Sequence, residues 1–358
     1  MEEAASKADT KLEIKPDNQS FSSELHGSLQ GHKTPFFKSR SRRRRSDTWV
    51  ISVFIILLLV AFLTMMLENN CRINSHGDCV AKALRMLSFQ PLYENPLLGP
   101  SSSTLDKVGA LRKSMLVNHK VWHFFLCPWL HAGLIHLIVN LAGLVFLGFY
   151  LEQEFGPLRV GIIYLISALL GTLVTAVFVR DSPVVCSSGA QFGLLGAAFS
   201  TLLTNWEFFT DKVKAMLILS IVFTCNFIIG FLPYTGNYSN VGGFISGFLL
   251  GFVLLTPPHL NRPTLRIVCL TLLAFLLVGF LVLILLGINI SKYCRWCGYF
   301  DCIPSKSWCC SDVSTSCEIM TSDTEITLTC ISNGNFKVFP YTHLSKARAQ
   351  DLCTLLCS

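Results

Sequence analysis

Apolar residues along the chain gather into seven runs, at about 49–67, 131–151, 160–179, 189–204, 215–232, 241–255 and 267–288. Most approach the roughly 20 residues that a helix needs to cross a bilayer, so the pattern predicts seven membrane helices. The runs at 189–204 and 241–255 are shorter, and each is expected to begin below the bilayer surface, in a water-filled cavity. Polar stretches divide the rest of the chain. Residues 1–48 read as a disordered, basic cytosolic leader, 68–130 as a large loop, and 289–358 as a cysteine-rich tail. The whole is an all-α polytopic membrane protein with its membrane domain over 49–288.

Composition agrees with this. Hydrophobic residues make up 51% of the 358 positions and charged residues only 14%, against about 25% charged in soluble chains. A water-soluble enzyme is thereby disfavoured. Between Trp129 and Gly287 the acidic residues are Glu152, Glu154, Asp181, Glu207 and Asp211, all at the ends of apolar runs. The net charge of +7 does not point to nucleic acid, because its densest part, Arg42 to Arg45, directly precedes the first run. There such a cluster sets orientation. In the short loops, Arg159, Lys212, Lys214, Arg262 and Arg266 lie on one face and Arg180 on the other. The N-terminus is therefore expected in the cytosol and the tail in the lumen or outside the cell, with Arg72, Lys292 and Arg295 outweighed.

Without an apolar stretch the leader is not a cleaved signal peptide, and its acidic residues disfavour an organelle transit peptide. A membrane of the secretory pathway, the Golgi or the plasma membrane, is expected. Of 15 cysteines, nine fall between Cys294 and Cys357, and Cys71 and Cys79 lie in the 68–130 loop. Both segments are then on the oxidising side. Cys294-x-x-Cys297 has no second such pair, so disulfides are expected rather than zinc. The odd count leaves one tail thiol free or paired elsewhere. No metal or small-molecule cofactor is expected. The sequons at Asn237 and Asn289 lie so close to spans that neither is expected to carry a glycan.

Polar side chains within spans are costly and are candidates for function. His136 and Asn140 are four apart in the second run, so they project from one helix face and predict a polar pocket. Asn226 stands alone in the fifth run and is expected to bond a neighbouring helix. The fourth run opens Cys186-Ser187-Ser188-Gly189-Ala190-Gln191-Phe192-Gly193, with Gly196 and Ser200 following; the sixth carries Gly243, Gly247 and Gly251. Small residues four apart let backbones approach closely. The two short runs should pack together, with Ser188 and Asn240 at ends that can meet.

These motifs resemble those of the plant rhomboid-like proteins, in the rhomboid family. The resemblance runs from about Phe89 to Leu255, with a similar tail start at Cys294-Arg-Trp-Cys297. It is carried by Asn95-Pro-Leu-Leu-Gly-Pro100, Trp129-Leu-His131-Ala-Gly-Leu-Ile-His136 with Asn140, Glu152-Gln-Glu-Phe-Gly156, Ser188-Gly189 with Phe192 to Gly196, and the glycine-rich sixth run. Rhomboids are intramembrane serine proteases that cut other membrane proteins at or near their transmembrane segments. The resemblance implies a six-helix core plus a seventh C-terminal helix. It places Ser188 at the nucleophile position of a Gly-x-Ser-Gly motif, and His136 and Asn140 in the oxyanion hole. The family's general base is a histidine just before a Gly-Gly pair, here Gly242-Gly243.

This chain departs from that pattern. The base position is Asn240. A serine hydroxyl needs an adjacent base, and an amide is not one. No histidine lies between 137 and 258, and His259 is 19 residues past Asn240, about 28 Å along a helix. No lysine lies inside a span. Cys186 replaces the motif's first glycine, where a side chain hinders close approach; as a substitute nucleophile its thiol would also lack a base. His123 follows Trp122 where the family commonly has arginine, which implies altered loop packing. Loss of the base costs about 10⁶ in rate in serine proteases. The expectation is a rhomboid-fold pseudoprotease that binds transmembrane segments of other proteins within the lipid bilayer. The alternative is a weakly active serine endopeptidase cutting transmembrane substrates through Ser188. A transporter is disfavoured by the absence of buried acidic residues and of an inverted repeat.

Overall fold

The computed structural model describes residues 34–37, 48–71, 79–92, 94–113, 121–179, 182–256, 263–294 and 296–303, with parts of 305–340 and Leu356. The Arg42 to Arg45 cluster, His259 and Cys357 lie outside the described residues. Among the described residues, five helices are long and apolar enough to cross a membrane: α1 (Val50–Asn69), α4 (Leu134–Phe155), α5 (Pro157–Phe178), α7 (Lys212–Ile229) and α9 (Pro263–Leu285). Short helices α2 (Ser102–Val108) and α3 (Trp122–Leu126) lie in the loop between α1 and α4. The two short runs form α6 (Ser187–Thr204) and α8 (Asn237–Leu254). Both start a few residues ahead of their apolar runs, because polar first turns are invisible to a hydropathy pattern.

Nearly every side chain of α6 is buried, so this helix is the centre of the molecule. Small residues let α8 lie against it. A Cβ at Gly243 would overlap the Gly189 carbonyl, and one at Gly247 the Gly193 carbonyl. Backbones this close can be made only where glycine faces glycine. Ser246 Oγ, at the same seam, lies 2.9 Å from Ser167 Oγ on α5. By contrast α7 and α9 bury few side chains (Ala215 and Leu219, and Cys269 and Leu273). Their exposed leucines, isoleucines and valines suit a lipid surround.

Two polar devices anchor helix ends. Contrary to the expectation of no buried acidic residue, the Glu152 carboxylate is fully buried; it accepts from the backbone N–H groups of Val50 (2.8 Å) and Ile51 (3.0 Å). It thus satisfies orphan donors at the start of α1 and complements its dipole. In the loop ahead of α4, the Asn95 amide donates to the carbonyls of Pro100 (2.9 Å) and Ala132 (2.8 Å), and its oxygen accepts from Leu97 N–H (3.0 Å). The segment so shaped offers the carbonyls of Leu98 and Leu97 to the N–H groups of Leu134 and Ile135. That caps the helix carrying His136 and Asn140.

Among the described residues of the leader, Thr34 pairs with Phe209, Phe36 is fully buried, and Phe36 N–H donates to Asp211 (2.7 Å). The tail holds strands as well as a short helix. After α10 (Cys297–Asp301) come antiparallel strands β1 (Cys317–Thr321), β2 (Glu325–Cys330) and β3 (Phe336–Pro340), in the order β1-β2-β3. In β2, Ile326, Leu328 and Cys330 are buried in strict alternation, a period of two that attention to the cysteines overlooks. Cys71 bonds Cys79, Cys294 bonds Cys297, and Cys302 bonds Cys310, with Cα separations of 6.1, 5.4 and 5.7 Å.

Candidate functional site

α4, α6, α7 and α8 converge on a narrow, nearly closed cleft lined by His136, Val139, Asn140, Ser188, Asn226, Ile229, Gly230, Thr235 and Asn240. The structure therefore brings together the four residues singled out for chemistry: Ser188 from the first turn of α6, His136 and Asn140 one turn apart on α4, and Asn240 from the first turn of α8. Ser188 is 7% exposed and the other three less. No side chain among the described residues hydrogen-bonds its hydroxyl.

The neighbours are otherwise engaged. Asn140 Nδ2 lies 3.4 Å from Ser187 Oγ, not on Ser188. Asn240 Nδ2 donates to Asn237 Oδ1 at 2.9 Å, and Asn240 Oδ1 is buried with no partner among the described residues. His136 Nδ1 accepts from the Ala132 N–H at 3.4 Å. A neutral imidazole with one nitrogen accepting carries its proton on the other, so His136 presents an Nε2–H donor to the cleft. His131, in the loop ahead of α4, packs its ring 5.3 Å from that of His136. Burial, then the His136 ring, holds its imidazole well below the usual histidine pKa, so it stays neutral.

Four motif residues do not line the cleft. Gly189, Gly242 and Gly243 serve helix packing: a Cβ at Gly189 would meet Ser239 on α8, and one at Gly242 would meet Gly171 and Leu170 on α5. Cys186, the residue before α6, is disulfide-bonded to Cys127, in a short turn ahead of α4, with Cα atoms 5.2 Å apart. Its sulfur is consumed, which removes it as a substitute nucleophile. Two cysteines 59 positions apart carry no spacing signal of such a bond.

Asn226 and Thr235 also belong to the cleft. Asn226 does bond another helix, accepting from Gln191 Nε2 at 3.4 Å, but it lines the cleft as well. Gln191 stands three positions after Ser188, on the same helix face, and that spacing was a usable signal. Outside the cleft, His123 Nδ1 lies 2.8 Å from the Ala110 carbonyl and the ring packs on Trp122. The residue is part of the loop's packing. Both sequon amides are buried and donate to carbonyls, Asn237 to Phe300 (3.0 Å) and Asn289 to Val179 (2.8 Å), so neither nitrogen is free for a sugar.

Fold and cleft together define a class: a multi-pass membrane protein of apolar helices, with a serine at the start of a buried central helix, inside the membrane domain. The family is equally clear. Residues 118–257 match the Rhomboid domain model. The chain is 44% identical to Inactive RHOMBOID-like protein 8 of Arabidopsis thaliana over 340 residues, 87% of this chain and 97% of that protein. It is 40% identical to RHOMBOID-like protein 1 of the same plant, over 86% of this chain and 85% of that one. Inactive rhomboid protein 1 of Danio rerio is 29% identical over 65% of this chain and 28% of its own length. The chain belongs to the rhomboid family.

Proposed function

We propose that this protein is a catalytically silent rhomboid, a membrane-embedded binder of the transmembrane segments of other membrane proteins. The observation that carries this reading is Asn240. It occupies the family's base position, its amide nitrogen is spent on Asn237 and its remaining atom is a carbonyl oxygen without basicity. His136, the other nitrogen-bearing ring of the cleft, has its acceptor nitrogen turned to Ala132, which leaves a donor and no base. Ser188 thus has no group to take its proton, and the loss of a base is worth about 10⁶ in rate. The likeness to two relatives whose names call them inactive supports the same reading.

Six helices, α1 and α4 to α8, would form the core, with α9 as a seventh span, the leader cytosolic and the tail on the lumenal or extracellular side of a secretory-pathway membrane. Ser188, His136 and Asn140 would then line part of a recognition groove. The test is a cleavage assay in membranes with a rhomboid substrate, comparing the unmodified chain, Ser188→Ala, and the double variant Cys186→Gly with Asn240→His. We expect no product from the first two and Ser188-dependent product from the third. Product from the unmodified chain that disappears in Ser188→Ala would overturn the reading in favour of residual serine endopeptidase activity.

A further inference from the structure

The cysteine-rich tail reaches back to two of the helices that line the cleft. Four hydrogen bonds join α10 and the residues after it to the ends of α7 and α8. Asn237 Nδ2 donates to the Phe300 carbonyl (3.0 Å), Tyr238 N–H to the Asp301 carboxylate (3.2 Å), and Tyr238 Oη to the Cys297 carbonyl (3.1 Å). Ile303 N–H donates to the Phe231 carbonyl (3.1 Å). The Phe300 ring sits among Phe227, Phe231 and Tyr238, at 5.6, 6.4 and 4.9 Å between centroids. Cys297 and Asp301 are buried, and the Cys294–Cys297 and Cys302–Cys310 bonds brace the helix on both sides.

What the tail grips is one wall of the cleft. Ile229, Gly230, Thr235 and Asn240 come from the end of α7, the following turn and the start of α8. The fully buried side chains of α7, Ala215 and Leu219, are both in its opposite half, while at this end Asn226 bonds Gln191 and Phe223 and Phe227 pack on Phe192. The grip also reaches the amide that faces Ser188. The backbone carbonyl of Phe300 can only accept, so it obliges Asn237 to point its nitrogen toward the tail. Asn237 then offers its oxygen to Asn240 Nδ2 (2.9 Å), and Asn240 Oδ1 is the atom left over.

We infer that α10 is a lid: the tail clasps the α7–α8 wall, keeps the cleft shut, and sets the orientation of the Asn240 amide, so that a partner gains the groove only when the tail lets go. The inference rests on the cleft being the binding groove proposed above, and adds what controls entry to it. Full-length protein in membranes tests it, with Ser188→Cys as a reporter in a Cys225→Ser background and a water-soluble maleimide as probe. Phe300→Ala with Asp301→Ala should speed reporter labelling at least tenfold. A second reporter, Thr172→Cys in the buried middle of α5, should stay unlabelled in the same double variant. Unchanged labelling at position 188 would overturn the lid. So would equal acceleration at position 172, which would mean general unfolding. Neither outcome depends on proteolysis, so the lid and the catalytic silence fail separately.

Discussion

Single side chains do two kinds of work in this molecule, and the difference lies in what each is bonded to. Asn240 could be read directly from the sequence, because its place before Gly242-Gly243 is defined by neighbours in the chain. Its partner Asn237, three positions earlier on the same helix, was within reach of a spacing argument, but which way the two amides turn was not legible, since the Phe300 carbonyl behind them is brought there by folding. Glu152 shows the same limit: a carboxylate at the end of an apolar run gives no hint that it caps a helix about 100 residues earlier. Replacing it by alanine strips two buried N–H groups of their acceptor, at about 1–3 kcal/mol each. Glu152→Ala should therefore lower the thermal stability of the detergent-solubilised protein well beyond Glu152→Gln, which keeps one acceptor. Equal melting temperatures for the two variants would contradict the capping role.

At the scale of elements, glycine spacing carried the most information. Repeats of small residues four apart predicted the α6–α8 contact, and the structure places Gly243 against Gly189 and Gly247 against Gly193. Overfilling such a seam costs about 1–3 kcal/mol or more, so Gly247→Leu should reduce the folded yield in membranes and the unfolding temperature. Gly279, on α9, would meet nothing within 4 Å if it carried a Cβ. Gly279→Ala should leave stability unchanged or raise it by up to about 1 kcal/mol through helix propensity. If Gly247→Leu proves as harmless as Gly279→Ala, the close contact is wrong. Helix starts were less legible than helix contacts. Polar Ser187 and Asn237 to Asn240 extend α6 and α8 beyond their apolar runs, and the β-strands of the tail are too short and too interrupted to stand out beside its cysteines.

At the scale of the whole molecule, disulfides tie the chain to itself. Cys71–Cys79, Cys127–Cys186, Cys294–Cys297 and Cys302–Cys310 are bonded, while Cys225 and Cys269 are free. Since disulfides persist in oxidising compartments, thiol mapping by mass spectrometry should find Cys225 alkylated without reductant and those eight cysteines only after reduction. Free reaction of all eight in unreduced membranes would argue against a lumenal tail. The sequence by itself determined the membrane character, the family and the absence of any histidine between 137 and 258, because hydropathy and motif spacing are local along the chain and survive without a fold. Only the tertiary structure decided that Cys186 is tied to Cys127, that Asn226 shares the cleft with Ser188, and that the tail closes on α7 and α8. These pairings join positions tens of residues apart, and nothing short of the packed helices sets the distances between them.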